Sequence, residues 1–155
     1  MRDPIRVLFV CMGNICRSPA AEAVFLKMIQ EAGVQDRFEV DSAGTGGWHA
    51  GDAADPRSSA EGQRRGYTLD RRARQLIKDD GEHFDYLICM DQDNRREMRR
   101  IGIPDDKIHL LTDWHPDSGV DAVDDPYYGG PAGFVTMYER IEQATAGLLA
   151  DLLKR

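Results

Sequence analysis

The sequence predicts an α/β protein, a three-layer sandwich in which a four-stranded parallel sheet, doubly wound, lies between two layers of helices. Short β-branched and apolar runs alternate along the chain with segments of helical periodicity, and this alternation favours right-handed crossovers between parallel strands. A chain of 155 residues, 41% of them hydrophobic, suits one core. We therefore expect residues 1–155 to form a single domain.

The first part of the chain predicts a strand, a loop, a helix and a second strand. Residues 5–10 form a short β-branched and aromatic run that is typical of a buried strand. Ser18 and Pro19 give a helix start signal, and Gly33 gives a stop signal. Between them, apolar residues recur at helical spacing: Ala21, Val24, Phe25, Met28, Ile29 and Ala32. The second strand is predicted at residues 37–42.

The rest of the chain continues the alternation. Residues 43–55 predict a long loop, after which Asp55 and Pro56 mark a helix start. The later predicted elements are helices at 56–65, 71–77, 92–100 and 133–153, and strands at 84–90 and 107–111. The core stripe of the last helix is Phe134, Met137, Tyr138, Ile141, Thr145, Leu148 and Leu152. Ligands bind such sheets beyond the carboxyl ends of strands, so a site is expected in the loop after the first strand.

The composition disfavours several partners and locations. A net charge of -7 repels phosphate backbones and anionic bilayers, so neither nucleic acid nor a membrane is expected as a partner. The apolar run at residues 7–12 is about a third of the length of a bilayer span, and no signal-peptide cleavage pattern follows it. Three cysteines without Cys-x-x-Cys spacing favour a reducing compartment, so we expect a cytoplasmic protein.

The loop at residues 11–18 has the features of an oxyanion site. Cys11 follows the first strand, Arg17 stands six positions later, and Gly13 and Asn14 tolerate a positive φ. Backbone N–H groups in such a loop, with the N-terminus of the next helix, form a nest for a tetrahedral dianion. Arg17 can donate two parallel hydrogen bonds to that anion. The same positive groups favour the thiolate form of Cys11, which is then a nucleophile towards phosphorus.

Cleavage of a phosphate monoester also needs a proton donor for the leaving oxygen. Residues 123–130 supply the adjacent carboxylates of Asp124 and Asp125, followed by Pro126 and two tyrosines. Repulsion between the carboxylates and their apolar, aromatic surroundings favour the protonated form of one of them. Without the cysteine loop, the same segment would be interpreted as a surface Asp-Pro turn, so the prediction depends on both segments together.

The two segments resemble motifs of the low-molecular-weight protein tyrosine phosphatases. Residues 11–19 resemble the phosphate-binding signature of that family, and residues 125–129 resemble its general-acid loop. The likeness spans the chain and includes residues 41–45, 73–75, 84–86 and 89–91. The resemblance implies hydrolysis of phosphotyrosine in protein substrates through a phosphocysteine intermediate, with inorganic phosphate as product and no metal or cofactor.

The resemblance also implies a role for individual residues. The implied catalytic residues are Cys11, Arg17 and Asp125. The rest of the phosphate-binding loop consists of Met12, Gly13, Asn14, Ile15, Cys16 and Ser18. The walls of the substrate cleft carry Trp48, Tyr127 and Tyr128, with His49 beside Trp48, and Ser42 and Asp91 lie behind the site. The resemblance implies that Asp125 acts first as acid and then as base. It also implies that Ser18 donates its hydroxyl to the Cys11 thiolate and that Asn14 bonds to Ser42 to hold a strained turn.

Two positions distinguish this sequence within the resemblance, and a third has two possible roles. Related protein-arginine phosphatases carry threonine at the position of Ile15, and this favours phosphotyrosine as the substrate here. The family often has a histidine, bonded into the Asn–Ser network, at the position of Arg71. Cys16 is either a redox residue, a reversible disulfide partner of Cys11 under peroxide, or a small packing residue, and the sequence leaves both interpretations open.

Three other functions fit parts of the pattern. A thioredoxin-coupled arsenate reductase needs a cysteine relay, but no cysteine follows Cys89 in the chain. A cysteine phosphocarrier has no counterpart of Arg17 and no acid loop. A phosphate-binding module without activity has no need for both Cys11 and Asp125.

No metal site is expected from the histidines, because their spacing is not that of a ligand set: His49, His83, His109 and His115. The expected partners are phosphotyrosine-containing proteins. A monomer or a weak dimer is expected.

Overall fold

The computed structural model describes residues 3–155. Within that range the strands are β1 (Ile5–Cys11), β2 (Phe38–Gly44), β3 (Tyr86–Cys89) and β4 (Ile108–Leu110), and the helices are α1 (Arg17–Glu31), α2 (Pro56–Arg64), α3 (Asp80–His83), α4 (Gln92–Arg100) and α5 (Pro131–Leu152). Turns of 3-10 helix lie at Gln35–Arg37, Asp105–Lys107 and Leu111–Trp114. The sheet is parallel throughout, with the order β2-β1-β3-β4. The prediction of a doubly wound, four-stranded parallel sheet is confirmed.

Two apolar clusters cover the two faces of the sheet. Side chains of β1 alternate between them, because successive residues of a strand point to opposite faces. Val7 and Phe9 pack with α1 and α5, whereas Leu8 and Val10 pack with Met98 of α4. The predicted stripe of α5 is buried at every position: Phe134, Met137, Tyr138, Ile141, Thr145, Leu148 and Leu152.

The strand order places the loop after β1 at the switch point of the sheet. β1 and β3 are neighbours in the sheet, but the chain runs from β1 to β2 on one side and from β3 to β4 on the other, so the connections after these two strands leave in opposite directions. A crevice therefore opens beyond the carboxyl end of β1, where residues 12–16 connect β1 to α1.

The start of α1 differs from the prediction. The helix begins at Arg17 rather than Pro19, and Cys16 is the N-cap residue without a side-chain cap bond. Ser18 does not cap the helix, because its hydroxyl contacts the Cys11 sulfur and the Asn14 amide inside the loop. The predicted stop signal is confirmed, since Gly33 adopts a φ of 69° just after the helix.

The helix predicted at residues 71–77 is wrong. Leu76 donates its N–H to the carbonyl of Gly44 at 2.7 Å, and Gly44 donates its N–H to the carbonyl of Arg74 at 2.9 Å. The segment therefore pairs with the end of β2 through an isolated parallel bridge between Gln75 and Gly44. The buried side chains of Ala73 and Leu76 are three residues apart and therefore resemble a helical repeat. Pairing with the strand end overrides that local pattern.

Other boundaries shift by a few residues. β2 runs past residue 42 to Gly44, β3 and β4 are shorter than predicted, and α5 begins at Pro131. The predicted start of α2 is confirmed, because the Asp55 carboxylate accepts the N–H of Arg57. Over residues 3–155, no helix combines the length and the apolar character that a bilayer span requires.

Candidate active site

Cys11 lies at the base of the loop, at the carboxyl end of β1, and is only 2% exposed. The backbone N–H of Asn14 donates to its sulfur at 3.3 Å, and the hydroxyl of Ser18 lies 3.0 Å from the same atom. Two hydrogen-bonding groups and the N-terminus of α1 therefore surround the sulfur. Each of these groups stabilises negative charge on it.

Asn14 holds the loop in its shape. It adopts a φ of 58°, which is unusual for a residue other than glycine. Its side-chain amide donates to the hydroxyls of Ser18 at 2.7 Å and Ser42 at 3.0 Å, and its side-chain carbonyl accepts the N–H of Arg74 at 3.0 Å. These three bonds offset the backbone strain, and the predicted contact between Asn14 and Ser42 is present.

Gly44 allows β2 to pass directly behind the loop. A Cβ atom at this position would lie 2.8 Å from the carbonyl oxygen of Met12 and 3.0 Å from the carbonyl carbon of Gly13. Two backbone bonds fix the approach, from Thr45 to the carbonyl of Cys11 and from Gly46 to that of Met12, each at 2.9 Å. The end of β2 therefore braces the base of the loop.

Arg17 is held by groups outside the loop. Its Nη1 donates to the carboxylate of Asp91 at 2.5 Å and to the carbonyl of Val123 at 3.0 Å, and its side chain is 3% exposed. The other oxygen of Asp91 caps α4 by accepting the N–H of Asn94 at 2.8 Å. Asp91 thus anchors the guanidinium to a helix start and fixes its orientation towards the loop.

Asp125 faces Arg17 across the cleft. One carboxylate oxygen lies 3.6 Å from Nη2 of Arg17, and the other accepts the N–H of Tyr127 at 3.0 Å. Burial lowers the pKa of Arg17, but the nearby Cys11, Asp91 and Asp125 raise it, and the net shift is upward. Arg17 therefore carries its positive charge at physiological pH.

The predicted loop and wall residues surround one cleft of about 400 Å³. Its lining residues are Cys11, Met12, Gly13, Ile15, Cys16, Arg17, Trp48, His49, Asp125, Tyr127 and Tyr128. Trp48 is 72% exposed and Tyr128 is 94% exposed, so both rings stand at the open rim. Asn14, Ser18 and Asp91 contact these lining residues from behind, and Ser42 lies behind Asn14.

Arg71 connects to the loop through a buried carboxylate that the sequence analysis missed. Its Nε lies 2.7 Å from one oxygen of Glu22, and its Nη1 lies 3.0 Å from Asp41. The other Glu22 oxygen accepts the hydroxyl of Ser42 at 2.6 Å, and Ser42 in turn contacts Asn14. An arginine on the surface is thus linked through three contacts to the residue that shapes the loop.

Arg71→Ala is expected to destabilise the protein increasingly as the pH rises. The pKa of Glu22 is raised, mainly by burial and also by the nearby charges of Asp41 and Asp70. The hydrogen bond from Ser42 and the charge of Arg71 lower this pKa and so offset part of the rise. Without Arg71 the pKa of Glu22 rises further, so ionising the folded variant costs more free energy than ionising the folded wild type. Below about pH 4 the carboxyl is protonated in both the folded and the unfolded state, so this additional loss of stability is absent there. Melting temperatures of both proteins between pH 4 and 8 test this expectation.

The double variant Arg71→Ala/Glu22→Gln is the control for this measurement. Its amide does not titrate, so its melting temperature should lack the additional fall with pH that Arg71→Ala shows. A difference between wild type and Arg71→Ala that stays constant over the pH range would contradict the account.

The second loop cysteine differs from the first in its surroundings. Cys16 is 4% exposed, and burial raises its pKa, with the negative charges of Asp55, Cys11 and Asp125 adding to the rise. Cys16 therefore remains a neutral thiol at physiological pH. Cys89 is fully buried within the other apolar cluster, and burial likewise raises its pKa, to about 12.

Residues 3–155 contain no group of three or more His, Cys, Asp or Glu side chains with the arrangement of a metal site.

Two residues that support the loop could have been identified from the sequence. Glu22 interrupts the apolar stripe of α1 at a buried position, and Gly44 ends a strand beside the site.

A buried thiol at the base of a glycine-containing loop, with an arginine and a carboxylate across one cleft, is typical of the class of cysteine-dependent phosphatases. The family model for low molecular weight phosphotyrosine protein phosphatase matches residues 6–155 of the chain. The chain belongs to this family, as the resemblance predicted.

Individual relatives agree with this assignment. The chain is 46% identical over 150 residues to a low molecular weight protein-tyrosine-phosphatase of Streptomyces coelicolor, covering 94% of this chain and 92% of that protein. It is 39% identical to the corresponding phosphatase of Schizosaccharomyces pombe over 98% and 99% of the two chains. A protein tyrosine phosphatase structure from Entamoeba histolytica matches with a TM-score of 0.93 at 40% identity over 97% of each chain. A Drosophila arginine phosphatase matches with a TM-score of 0.89 at 30% identity over 96% and 98%.

Proposed function

We propose that the protein hydrolyses phosphotyrosine in protein substrates by transferring the phosphoryl group first to Cys11 and then to water. The observation that carries the proposal is the convergence of Cys11, Arg17 and Asp125 on one cleft. The sulfur lies at its base and the carboxylate on its wall, as attack and protonation from opposite sides of a phosphorus atom require.

In the first step the Cys11 thiolate attacks phosphorus. A P–S bond forms, the P–O bond to the substrate phenol breaks, and Asp125 gives its proton to the leaving oxygen. The N–H of Asn14 and the hydroxyl of Ser18, at 3.3 and 3.0 Å from the sulfur, stabilise the thiolate before attack. Arg17 and the loop N–H groups bind the phosphoryl oxygens while charge develops on them.

In the second step Asp125 acts as a base. It takes a proton from a water molecule that attacks the phosphocysteine, and the P–S bond breaks to release inorganic phosphate and the Cys11 thiolate. Asp125 thereby regains the proton that the next cycle requires. Asp91 keeps Arg17 oriented through both steps, because it binds the guanidinium at 2.5 Å from the start of α4.

The cleft walls favour an aromatic leaving group. Trp48, Tyr127 and Tyr128 present rings above a phosphate site whose loop carries the apolar side chain of Ile15. Rings of this kind bind a flat phenyl group by stacking and edge contacts. We therefore propose phosphotyrosine rather than phosphoserine or phosphoarginine as the substrate residue.

Release of phosphate from three matched peptides tests this proposal. The peptides carry phosphotyrosine, phosphoserine or phosphoarginine in the same flanking sequence, and the assay contains EDTA at mildly acidic pH. We expect turnover of the phosphotyrosyl peptide at a rate well above that of the other two. Preferred turnover of the phosphoarginyl peptide, or no turnover of any peptide by folded protein, would refute the proposal.

We also propose that Cys16 protects Cys11 from irreversible oxidation. Hydrogen peroxide transfers one oxygen to the Cys11 thiolate, which gives a sulfenic acid and hydroxide, and the Cys16 thiol then condenses with the sulfenic acid to form a disulfide and release water. An added dithiol then reduces the disulfide. The two cysteines line the same cleft, which supports the pairing.

Cys16→Ser protein is therefore expected to recover less activity than wild type after peroxide followed by dithiothreitol. Without the disulfide, the sulfenic acid proceeds to forms that thiols do not reduce. The measurement is the recovered fraction of each protein's own starting activity over a series of peroxide exposures. Equal recovery by both proteins would assign Cys16 a packing role only.

The proposal includes a setting for the reaction. All three cysteines are free thiols, and a reducing cytoplasm keeps thiols in this state.

The expectation that residues 1–155 form a single domain is supported by the two apolar clusters, which pack on opposite faces of the same sheet.

A further inference from the structure

The first turn of α2 is attached to the back of the phosphate-binding loop. Asp55, which caps this helix, donates its N–H to the carbonyl of Ile15 at 2.8 Å. The hydroxyl of Ser58 donates to the carbonyl of Cys16 at 3.2 Å. Asp55 is 7% exposed and Ser58 is fully buried, so the start of α2 is a fixed support for the loop.

Arg57 extends from this support to the aromatic wall of the cleft. Its guanidinium carbon lies 5.3 Å from the centre of the Tyr127 ring and 4.9 Å from that of Phe134. Both distances are within the range of a cation–π interaction. Phe134 is 1% exposed at the start of α5, so Arg57 links a ring fixed in the core to a ring that lines the cleft.

The charge of Arg57 is compensated where it stands. Its Nε and Nη2 donate to the two carboxylate oxygens of Asp55 at 3.1 and 2.9 Å. These hydrogen bonds lower the pKa of Asp55, which is therefore ionised at neutral pH. The pair has no net charge, so Arg57 adds little attraction for a phosphate dianion and acts mainly through the ring that it contacts.

We propose that Arg57 is a positioning residue that sets the Tyr127 ring at the distance from the phosphate-binding loop that an aryl phosphate requires. This inference rests on the proposed function, because it assigns recognition of the substrate's aromatic ring to the contact between Arg57 and Tyr127. The loop binds the phosphate group through Arg17 and its backbone, and Arg57 governs the affinity for the ring attached to that group.

Equilibrium binding of two probes separates these halves without depending on turnover. The probes are inorganic phosphate, which reports the loop alone, and phenylphosphonate, which reports the loop and the wall. Titration calorimetry on wild type, Arg57→Ala, Tyr127→Ala and the double variant gives the dissociation constants. Arg64→Ala is the matched control, because Arg64 ends the same helix, pairs with Glu61 and does not line the cleft.

Arg57→Ala is expected to bind phenylphosphonate about three- to tenfold more weakly, the scale of a partly exposed cation–π contact, and to bind phosphate as wild type does. Adding Arg57→Ala to Tyr127→Ala should cause no further loss, and Arg64→Ala should match wild type with both probes. If Arg57→Ala does not fold, Arg57→Lys, which keeps the charge but loses the planar group, should show the same selective loss in smaller degree.

Other outcomes would overturn the inference. Equal weakening of both probes would mean that Arg57 acts by charge or by supporting the loop, and additive losses in the double variant would mean that it does not act through Tyr127. Unchanged binding of phenylphosphonate would remove the role altogether. Wild-type protein that binds neither probe would refute the proposed function as well, whereas wild-type binding of both with no selective loss in the variants refutes the role of Arg57 alone.

Discussion

Cys11→Ser protein is expected to fold and to lose turnover of para-nitrophenyl phosphate by at least about 10⁴-fold, the scale seen when a nucleophile is removed from an enzyme. Serine is close to cysteine in size, and the hydroxyl of Ser18, 3.0 Å from the sulfur, remains available as a partner. The loop and Arg17 are unchanged. The loss arises because a serine hydroxyl stays protonated where a thiol ionises, and only the ionised group attacks phosphorus.

Two controls separate this loss from misfolding. Cys11→Ser protein should still bind inorganic phosphate, since the groups that bind the anion remain. Cys89→Ala changes a cysteine that is buried in the other apolar cluster, away from the cleft, and should retain wild-type turnover per folded molecule. Substantial turnover by Cys11→Ser protein would show that another group attacks the substrate.

Asp125→Ala is expected to lower kcat/KM for aryl phosphates by an amount that depends on the leaving group. General acid catalysis contributes about 10²–10⁴-fold where the leaving oxygen needs a proton, and much less where the phenolate is already stable. The loss should therefore be large for phenyl phosphate and small for para-nitrophenyl phosphate. A series of substituted phenyl phosphates measures this as a steeper dependence of kcat/KM on leaving-group basicity in the variant.

Asp124→Asn is the matched control for this series. Its carboxylate is next in sequence but pairs with Arg140 at 3.2 Å, and its side chain is 82% exposed. We expect a small effect that does not vary with the leaving group. If Asp125→Ala instead lowers kcat/KM equally for all substrates, or if Asp124→Asn shows the steep dependence, the acid is not Asp125.

Much of this site could be predicted from the sequence because its parts are local. A strand end, residues able to turn sharply and a helix start lie within residues 10–18, so the geometry of the loop follows from neighbouring residues. The parallel sheet was also predictable from the alternation of strands and helices, because right-handed crossover connections allow few topologies. The α5 stripe was predictable because helical periodicity over many residues is a strong signal.

The parts that were not predicted depend on contacts between distant segments. Nothing in the sequence around Arg71 or Arg57 shows that one meets Glu22 and the other meets Tyr127, because these pairs are brought together only by the folded chain. Residues 71–77 misled the prediction for the same reason. Their spacing suits a helix, but the backbone of Leu76 finds its partner in Gly44, at the end of β2.

The phosphoryl group on Cys11 is the central claim, and its direct detection is the most direct test. Because the proposed mechanism uses Asp125 as the base of the second step, Asp125→Ala should slow that step. With para-nitrophenyl phosphate, whose leaving group needs little protonation, the first step should stay fast and the intermediate should accumulate. Rapid quench into alkaline denaturant during turnover, followed by peptide mass analysis at neutral to alkaline pH, should find one added phosphoryl group on the peptide containing Cys11. Continuing turnover with no phosphorylated peptide, or with the group on another residue, would contradict the account.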